Sequence, residues 1–458
     1  MLLALSLPPF GAGWLGWLAL APLLVAARGR RPLEGVGLGL LAGGACGAIH
    51  RFIAVPFLML AVLLGMVAAV AGAARGRCTG TRWVLVVTCA ALSAEWLTTF
   101  SPLPLNLALT QYRALPMIQV ASVAGIWGVS FLVWWTNAAL ADWALQRQRT
   151  TAPLWIAVGL LAAAWIFGCW RLAHEGVARA RAKSNHRLLR VAAIQDYTPD
   201  DTARLVHQGP PPEEPLDREG LTRQAVKQGA KLVVWSEMCL GSAFQPERSD
   251  DETAALAREL GAHLVVGYTE AGQPKGANCA ALLGPDGKVR GIHRKIHLFL
   301  GERRDTRPGR TATAFPSALG KVGMEICFDS CYTGVTRQVA GAGAQLIAMP
   351  NYDPPTPHGS LHYLHATMLP FRAVENHVPF VRADATGLSQ IVDRTGSIVG
   401  QSGLYVPDAL VGEVLPGDGR GTLFTRLGDW LAYLCLLVTG MLVFPRFRKE
   451  TGKAISSP

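Results

Sequence analysis

Three side chains stand out for what they could do together: Glu237 at the end of "LVVWSE", Lys295 in "HRKIHLF" and Cys327 in "GMEICFDS". A thiol nucleophile needs a base to take its proton. It also needs a cation or backbone N–H groups for the oxyanion of a tetrahedral intermediate. A carboxylate, an ammonium and a thiol supply those parts. Singly, each has an ordinary explanation: a carboxylate after a buried strand needs a partner, a lysine is commonly solvated, and cysteine is often an inert core residue. A second cysteine, Cys331, lies four residues after the first. Cys327 follows an apolar run and precedes a helical pattern. That place is predicted to expose the thiol and to lower its pKa through the partial positive charge of a helix N-terminus. Cys331, about one turn on, is predicted to share a helix face with it and to serve packing. Outside the cytoplasm such a pair could oxidise.

The elements that must position these residues alternate from residue 188 onward. "LLRVAAIQ", "KLVVWSE" and "HLVVGYTE" read as strands, separated by the helical stretches "LTRQAVKQGA" and "ETAALARELGA". "ANCAALLGPDGKVRGIHRK" reads as a hairpin about Pro285-Asp286-Gly287. "GKVGMEICFD" and "QLIAMPNY" are strands around the helix "TGVTRQVAGAGA". "LHYLHATMLPFRAVENH" reads as one helix, followed by a hairpin over "PFVRADATGLSQIVDRTGSIVG". Strands and helices alternating in this way predict an α/β layered sandwich. "GERRDTRPGRTATAFPS", 301–317, is rich in Gly, Pro, Arg and Thr and is predicted to be a mobile loop.

The rest of the chain is of another kind. Of 458 residues, 50% are hydrophobic and 16% charged, against roughly 25% charged in soluble proteins. Apolar segments fall at about 12–27, 33–50, 52–74, 83–98, 116–143, 153–170 and 427–444, several near the ~20 residues that a membrane-spanning helix needs. The opening residues lack the basic region of a signal peptide, and further spans follow. The net charge is +11, but the basic residues sit in short clusters between apolar runs. That pattern speaks for membrane topology and against nucleic acid. Nine cysteines with no Cys-x-x-Cys pair argue against a zinc site, and no metal or cofactor is expected.

By the positive-inside rule, the clusters Arg28, Arg30, Arg31; Arg75, Arg77, Arg82; Arg147, Arg149; and the tail "RFRKETGK" are cytoplasmic. The alternate loops carry only Arg51 and Arg113. The region 173–426 then lies outside the cytoplasmic membrane. Its basic lead-in runs against the rule, which large translocated domains override. The same count places the N-terminus outside, so residues 1–7 are expected to be the stub of an earlier helix ending at Pro8-Pro9. The expected division is membrane helices over 1–172 (about six spans, the first truncated), a basic linker over 173–188, a catalytic domain over 189–417, a transmembrane helix over 418–446 and a cytoplasmic tail over 447–458. Two details belong to the spans. Glu95, near a span end, is expected either to face water there or, as an intramembrane carboxylate, to have a function, and the tryptophans and small residues of "VAGIWGVSFLVWWTN" are predicted to pack helices together.

Glu, Lys and Cys in this order, each at a strand end, resemble the nitrilase (carbon–nitrogen hydrolase) superfamily. The phrases "VAAIQ", "LVVWSE", "RKIHLF", "EICFD" and "RAVENHVPFVRADATGLSQIVDRTGSIVG" carry the likeness. "LPPFGAGWLGWLALAPLL" and "AEWLTTFSPLPLNLALTQYRALPMIQVASVAGIWGVSFLVWWTNAAL" resemble the membrane part of the apolipoprotein N-acyltransferase family. That resemblance implies a polytopic helical membrane domain plus a nitrilase-like α-β-β-α sandwich, in a bacterial cytoplasmic membrane. It implies transfer of an acyl chain from a phospholipid, typically phosphatidylethanolamine, through a Cys327 thioester to the N-terminal amine of a diacylated lipoprotein. Glu237 would be the base. Lys295 and the N–H of Phe328 would hold the oxyanion, with Glu302 and Asp329 in supporting positions. The alternative within the same triad is a membrane-anchored amidase acting on a small amide. The chain departs from the family pattern at Asp329, where the acyltransferases carry glutamate. It departs again at "NYDPPTPHG", which replaces an Asn-Asp-Ala-Trp-Phe-Gly loop, and at "FSPLPL", which replaces Phe-Pro-Trp.

Overall fold

The computed structural model describes residues 1–50, 55–74, 78–101, 104–145, 151–196, 217–248, 251–356 and 359–451. Arg51, Arg75, Arg77, Arg147, Arg149, Pro102 and the end of the tail lie outside them. The chain divides into two compact units, Met1–Cys169 with Asp429–Pro458, and Trp170–Gly428.

The first unit is helical. Among the described residues four helices are long and apolar enough to cross a membrane: Pro32–Ile49, Phe57–Ala74, Gly80–Phe100 and Ala152–Ser184. Two expected spans are broken instead. Segment 12–27 folds as a 3-10 turn, Gly13–Trp17, and a short helix, Ala21–Ala27. The chain is pressed there against Thr110, whose carbonyl would lie 2.3 Å from a Cβ on Gly13. Segment 116–143 bends by 118° between Leu115–Ala124 and Ile126–Leu145, at Gly125, whose φ of +66 a β-carbon would strain. Helix Trp430–Thr451 carries a shorter apolar stretch, Trp430–Met441. Helix Ala152–Ser184 runs on through most of the expected linker.

Within lipid, apolar helices gain little hydrophobic energy from covering one another and associate through close packing. A Cβ on Gly39 would sit 2.2 Å from the Gly65 backbone nitrogen, so the helix Pro32–Ile49 meets its neighbour backbone to backbone. The tryptophans pack inward and bond polar partners: Trp127 Nε1 donates to Asp429 at 2.8 Å and Trp134 Nε1 to Glu95 at 2.7 Å. Glu95 does not face water; it is fully buried and also accepts from the Leu107 N–H at 3.1 Å. A carboxylate cut off from solvent must find donors within the fold, and these pin the irregular stretch after its own helix.

The second unit is an α-β-β-α sandwich. Its strands are β1 Leu189–Gln195, β2 Leu232–Val234, β3 His263–Glu270, β4 Ala277–Leu283, β5 Val289–Arg294, β6 Ala314–Ser317, β7 Gly320–Met324, β8 Leu346–Asn351, β9 Phe380–Asp384, β10 Gln390–Val392, β11 Ile398–Gln401 and β12 Asp408–Val414. They form two six-stranded sheets, β12-β1-β2-β3-β4-β5 and β11-β10-β9-β8-β7-β6. In each, three central strands run parallel (β1, β2, β3 and β7, β8, β9) and the rest pair antiparallel. The central strands are buried on both faces, which is why "LVV" and "LIAM" are continuous apolar runs rather than alternating ones. Helices Arg218–Lys227 and Glu252–Leu260 cover the first sheet, and Thr333–Gly341 and Met368–Asn376 the second.

Local expectations change in four places. The predicted helix over 361–377 is two, Ser360–Ala366 and Met368–Asn376. Pro370 has no N–H and its ring crowds the carbonyl of residue 366, where the first helix stops. The predicted hairpin after it is a three-strand meander, β9-β10-β11. Strand β12, which the sequence reading leaves out, closes the first sheet against β1. Segment 301–317 is not one loop: it starts with a 3-10 turn, Glu302–Arg304, and ends in β6, paired with β7.

Candidate active site

The parallel strands point their carboxyl ends the same way, and the chemistry collects there, as in open α/β sheets generally. Glu237 lies just past β2. Gly267 on β3 allows the tight turn that presents it, since a Cβ there would come 2.3 Å from the Ser236 carbonyl oxygen. The Glu237 N–H donates to the Asn351 carbonyl at the end of β8, 3.2 Å away, and ties the two sheets together. Lys295 continues β5, its N–H held by the Asn278 carbonyl at 2.9 Å. Cys327 lies beyond β7 and opens a 3-10 turn, Cys327–Cys331, with a φ of +47.

The structure brings the three expected residues together. Lys295 Nζ lies 2.7 Å from Glu237 Oε1 and 2.8 Å from Glu302 Oε2, with both Lys295 and Glu237 buried. Asn278 Nδ2 donates to Glu237 Oε1 at 2.6 Å and to Glu302 Oε1 at 2.7 Å. Both bonds to Glu237 fall on Oε1, which leaves Oε2 to accept a proton. Burial pushes Glu237 up from the ordinary carboxylate range, against the pull of Lys295. Burial opposes the charge on Lys295, but the surrounding Cys327, Glu237 and Glu302 hold its pKa well above the usual value. The lysine therefore stays an ammonium.

The expected lowering of the Cys327 pKa is not found. Burial pushes the thiol well up, Glu237 adds to that, and Lys295 opposes it. The thiol is 6% exposed and donates to the Tyr352 carbonyl at 3.6 Å. A 3-10 turn is also too short and tight to lend a long helix's N-terminal field. A neutral thiol near a carboxyl group whose pKa is raised is an arrangement that could pass a proton between the two.

The residues expected in supporting positions make separate sets of contacts. Glu302 touches Lys295 and accepts from the Phe299 N–H at 2.7 Å. Asp329 lies one step back. It accepts from the His297 N–H at 2.8 Å, the Ile326 N–H at 3.2 Å and His293 Nε2 at 2.9 Å, and so joins the lysine segment to the cysteine turn. Phe328 packs edge-on against Phe299 and Tyr332. Cys331 is a buried free thiol. It does not share a helix face with Cys327, because at three residues per turn a step of four rotates it by roughly 120°.

Sequence reasoning missed Asn278 and a second network behind the cysteine. His365 Nδ1 lies 2.7 Å from Asp353 Oδ1, and Arg382 Nη2 reaches Asp353 Oδ2 at 2.5 Å and Asp384 Oδ2 at 2.8 Å. The signal was in "FVRAD": two charges in a strand otherwise built for a core demand each other. Ligand atoms of Cys327, Asp353 and His365 fall within 4.8 Å of one another. Both nitrogens of His365 are committed to Asp353 and to the Cys327 carbonyl, so the group is a hydrogen-bonded chain rather than a set of open ligands.

Residues 206–421 match the Carbon-nitrogen hydrolase family, and residues 1–139 match the Apolipoprotein N-acyltransferase N-terminal domain. An apolipoprotein N-acyltransferase from Geobacter metallireducens is 30% identical across 98% of this chain and 94% of its own length. An apolipoprotein N-acyltransferase 2 from Treponema pallidum is 24% identical across 88% of this chain and 80% of its own. A nitrilase from Pyrococcus abyssi is 33% identical, but across 42% of this chain and 75% of its own. Because the likeness to the Geobacter protein runs through helices and sandwich alike, while the nitrilase accounts for less than half of the chain, this chain belongs to the apolipoprotein N-acyltransferase family of the carbon–nitrogen hydrolase superfamily.

Proposed function

We propose that this protein moves an acyl chain from a phospholipid to the N-terminal amine of a diacylglyceryl-cysteine on an apolipoprotein, through a thioester on Cys327. Glu237 Oε2 takes the thiol proton as the sulfur attacks the ester carbonyl. The oxyanion forms against the Lys295 ammonium and the Phe328 N–H. Collapse expels the lysophospholipid alkoxide, which takes the proton back from Glu237. The lipoprotein amine then attacks the thioester, gives a proton to Glu237, and the leaving thiolate is reprotonated. The observation that carries this reading is the buried Glu237–Lys295 contact of 2.7 Å, with Cys327 enclosed beside it, in a chain that matches the acyltransferase N-terminal domain. Phosphatidylethanolamine as donor, six or more membrane passes and an extracytoplasmic sandwich belong to the same proposal, and the placing of arginines supports the last two.

The test is purified full-length protein in detergent with phosphatidylethanolamine and a diacylated lipopeptide. Intact-mass analysis is expected to show one acyl chain on the wild type and none on Cys327→Ala, with N-acylation falling more than about 10³-fold in the variant. Turnover of a small soluble amide, with no lipid thioester, would replace this reading with the amidase one.

A further inference from the structure

The nucleophile is held in a conformation that its own residue type resists. Cys327 has a φ of +47, uncommon for a residue with a β-carbon and costly unless its surroundings fix it. Its carbonyl is where the surroundings act. Ser330 Oγ donates to that oxygen at 3.0 Å, and His365 Nε2 lies 3.2 Å from it and 3.2 Å from Ser330 Oγ. A carbonyl only accepts, so His365 presents an N–H on this side. On the other side Nδ1 faces a carboxylate, Asp353, already bonded to Arg382, and presents an N–H there too. His365 is thus an imidazolium. The balance of forces agrees: burial opposes the charge, but Asp353 wins and raises His365 to about 10.

The Cys327 carbonyl belongs to the same rigid peptide as the Phe328 N–H, and in a trans peptide the two point in opposite directions. Fixing the oxygen toward Ser330 and His365 therefore aims the Phe328 N–H the other way. Among the described residues nothing accepts from that N–H, as expected for the first turn of a helix. We propose that His365 and Ser330 are positioning residues that clamp the Cys327–Phe328 peptide, so that the Phe328 N–H is preset for the oxygen of the tetrahedral intermediate. Asp353 and Arg382 hold the clamp from behind. The inference rests on the acyl-transfer reading above, since an oxyanion donor matters only to an enzyme that forms an oxyanion.

The experiment compares two reactions of Cys327 in the full-length protein. Single-turnover thioester formation from phosphatidylethanolamine passes through an oxyanion; alkylation by iodoacetamide does not. His365→Leu is expected to slow thioester formation about 10²-fold, the scale of one lost oxyanion donor, and Ser330→Ala about 10-fold. The phospholipid concentration for half-maximal rate and the alkylation rate should both stay within about threefold. His365→Gln and Ser330→Thr, which keep a donor, should recover most of the loss. Ser330→Ala removes a single hydroxyl and covers the case in which His365→Leu does not fold. Wild-type acylation rates in the donorless variants would overturn the clamp alone. So would a parallel fall of acylation and alkylation in Ser330→Ala, or equal defects in Ser330→Ala and Ser330→Thr. A wild type that forms no thioester would overturn the acyl-transfer reading and the clamp with it.

Discussion

Glu95 and Glu237 are both buried carboxylates near the end of a stretch of regular structure, Glu95 in the last turn of a helix of the helical unit and Glu237 just past a strand of the sandwich. Their company differs. Glu95 is held by neutral donors, the Trp134 indole and the Leu107 N–H, and the bonds tie down a turn of chain. Glu237 faces an ammonium at 2.7 Å, shares Asn278 with a second carboxylate, and keeps one oxygen outside those bonds. Burial alone makes a polar group structural. Burial with a cation, a second acid and a spare lone pair gives it what the proposed base needs.

The comparison can be broken, most sharply at the sandwich. Glu237→Gln keeps the shape and an acceptor for Lys295 but has no carboxylate for the proton; thioester formation should fall about 10²–10⁴-fold, read by single-turnover mass analysis. Glu325, buried two residues before Cys327, gives the next effect. Burial raises its pKa to about 8, above an unfolded value of about 4.3. The fold therefore binds the extra proton, and this contribution is present at low pH and lost as pH rises from about 4.3 through about 8. Glu325→Gln should flatten the decline in thermal stability across that window, by on the order of a few kcal/mol at its upper end. Unchanged melting curves in both pH limits would show the group to be ionised in the fold.

In the helical unit, Glu95→Gln retains one acceptor oxygen, enough for both Trp134 and Leu107, which donate to the same Oε1. It should cost about 1 kcal/mol of stability and leave thioester formation within about threefold. A large loss of acylation with unchanged melting would place Glu95 with Glu237 and undo the contrast. The smallest effect is expected at the second thiol: Cys331→Ala should acylate at close to the wild-type rate, and a loss as large as that of Cys327→Ala would mean that the nucleophile is misassigned.

The sandwich was largely legible in the sequence because its central strands are short, apolar runs between turn residues. "LVVWSE" and "EICFD" each put a polar residue where a buried run ends, "RKIHLF" puts one at the end of the half-exposed β5, and the structure sets those residues side by side. Short edge strands were harder. β6 and β12 are half-exposed, so neither shows a clear apolar pattern. In the helical unit, hydropathy marked where apolar chain lies but not where it bends. Gly125 reverses a stretch that composition alone reads as continuous.

The sequence by itself determined the inventory: a thiol, an ammonium and carboxylates at strand ends, in a chain half of which is too apolar for water. Only the tertiary structure decided their electrostatic states. Solvent exclusion left the Cys327 thiol protonated where a helix terminus was expected to lower its pKa, and the Asp353 carboxylate made His365 a buried cation against the pull of burial. Those states depend on distances of a few ångströms between residues dozens of positions apart. Coulomb energy and desolvation vary steeply over that range, and no spacing along the chain encodes it.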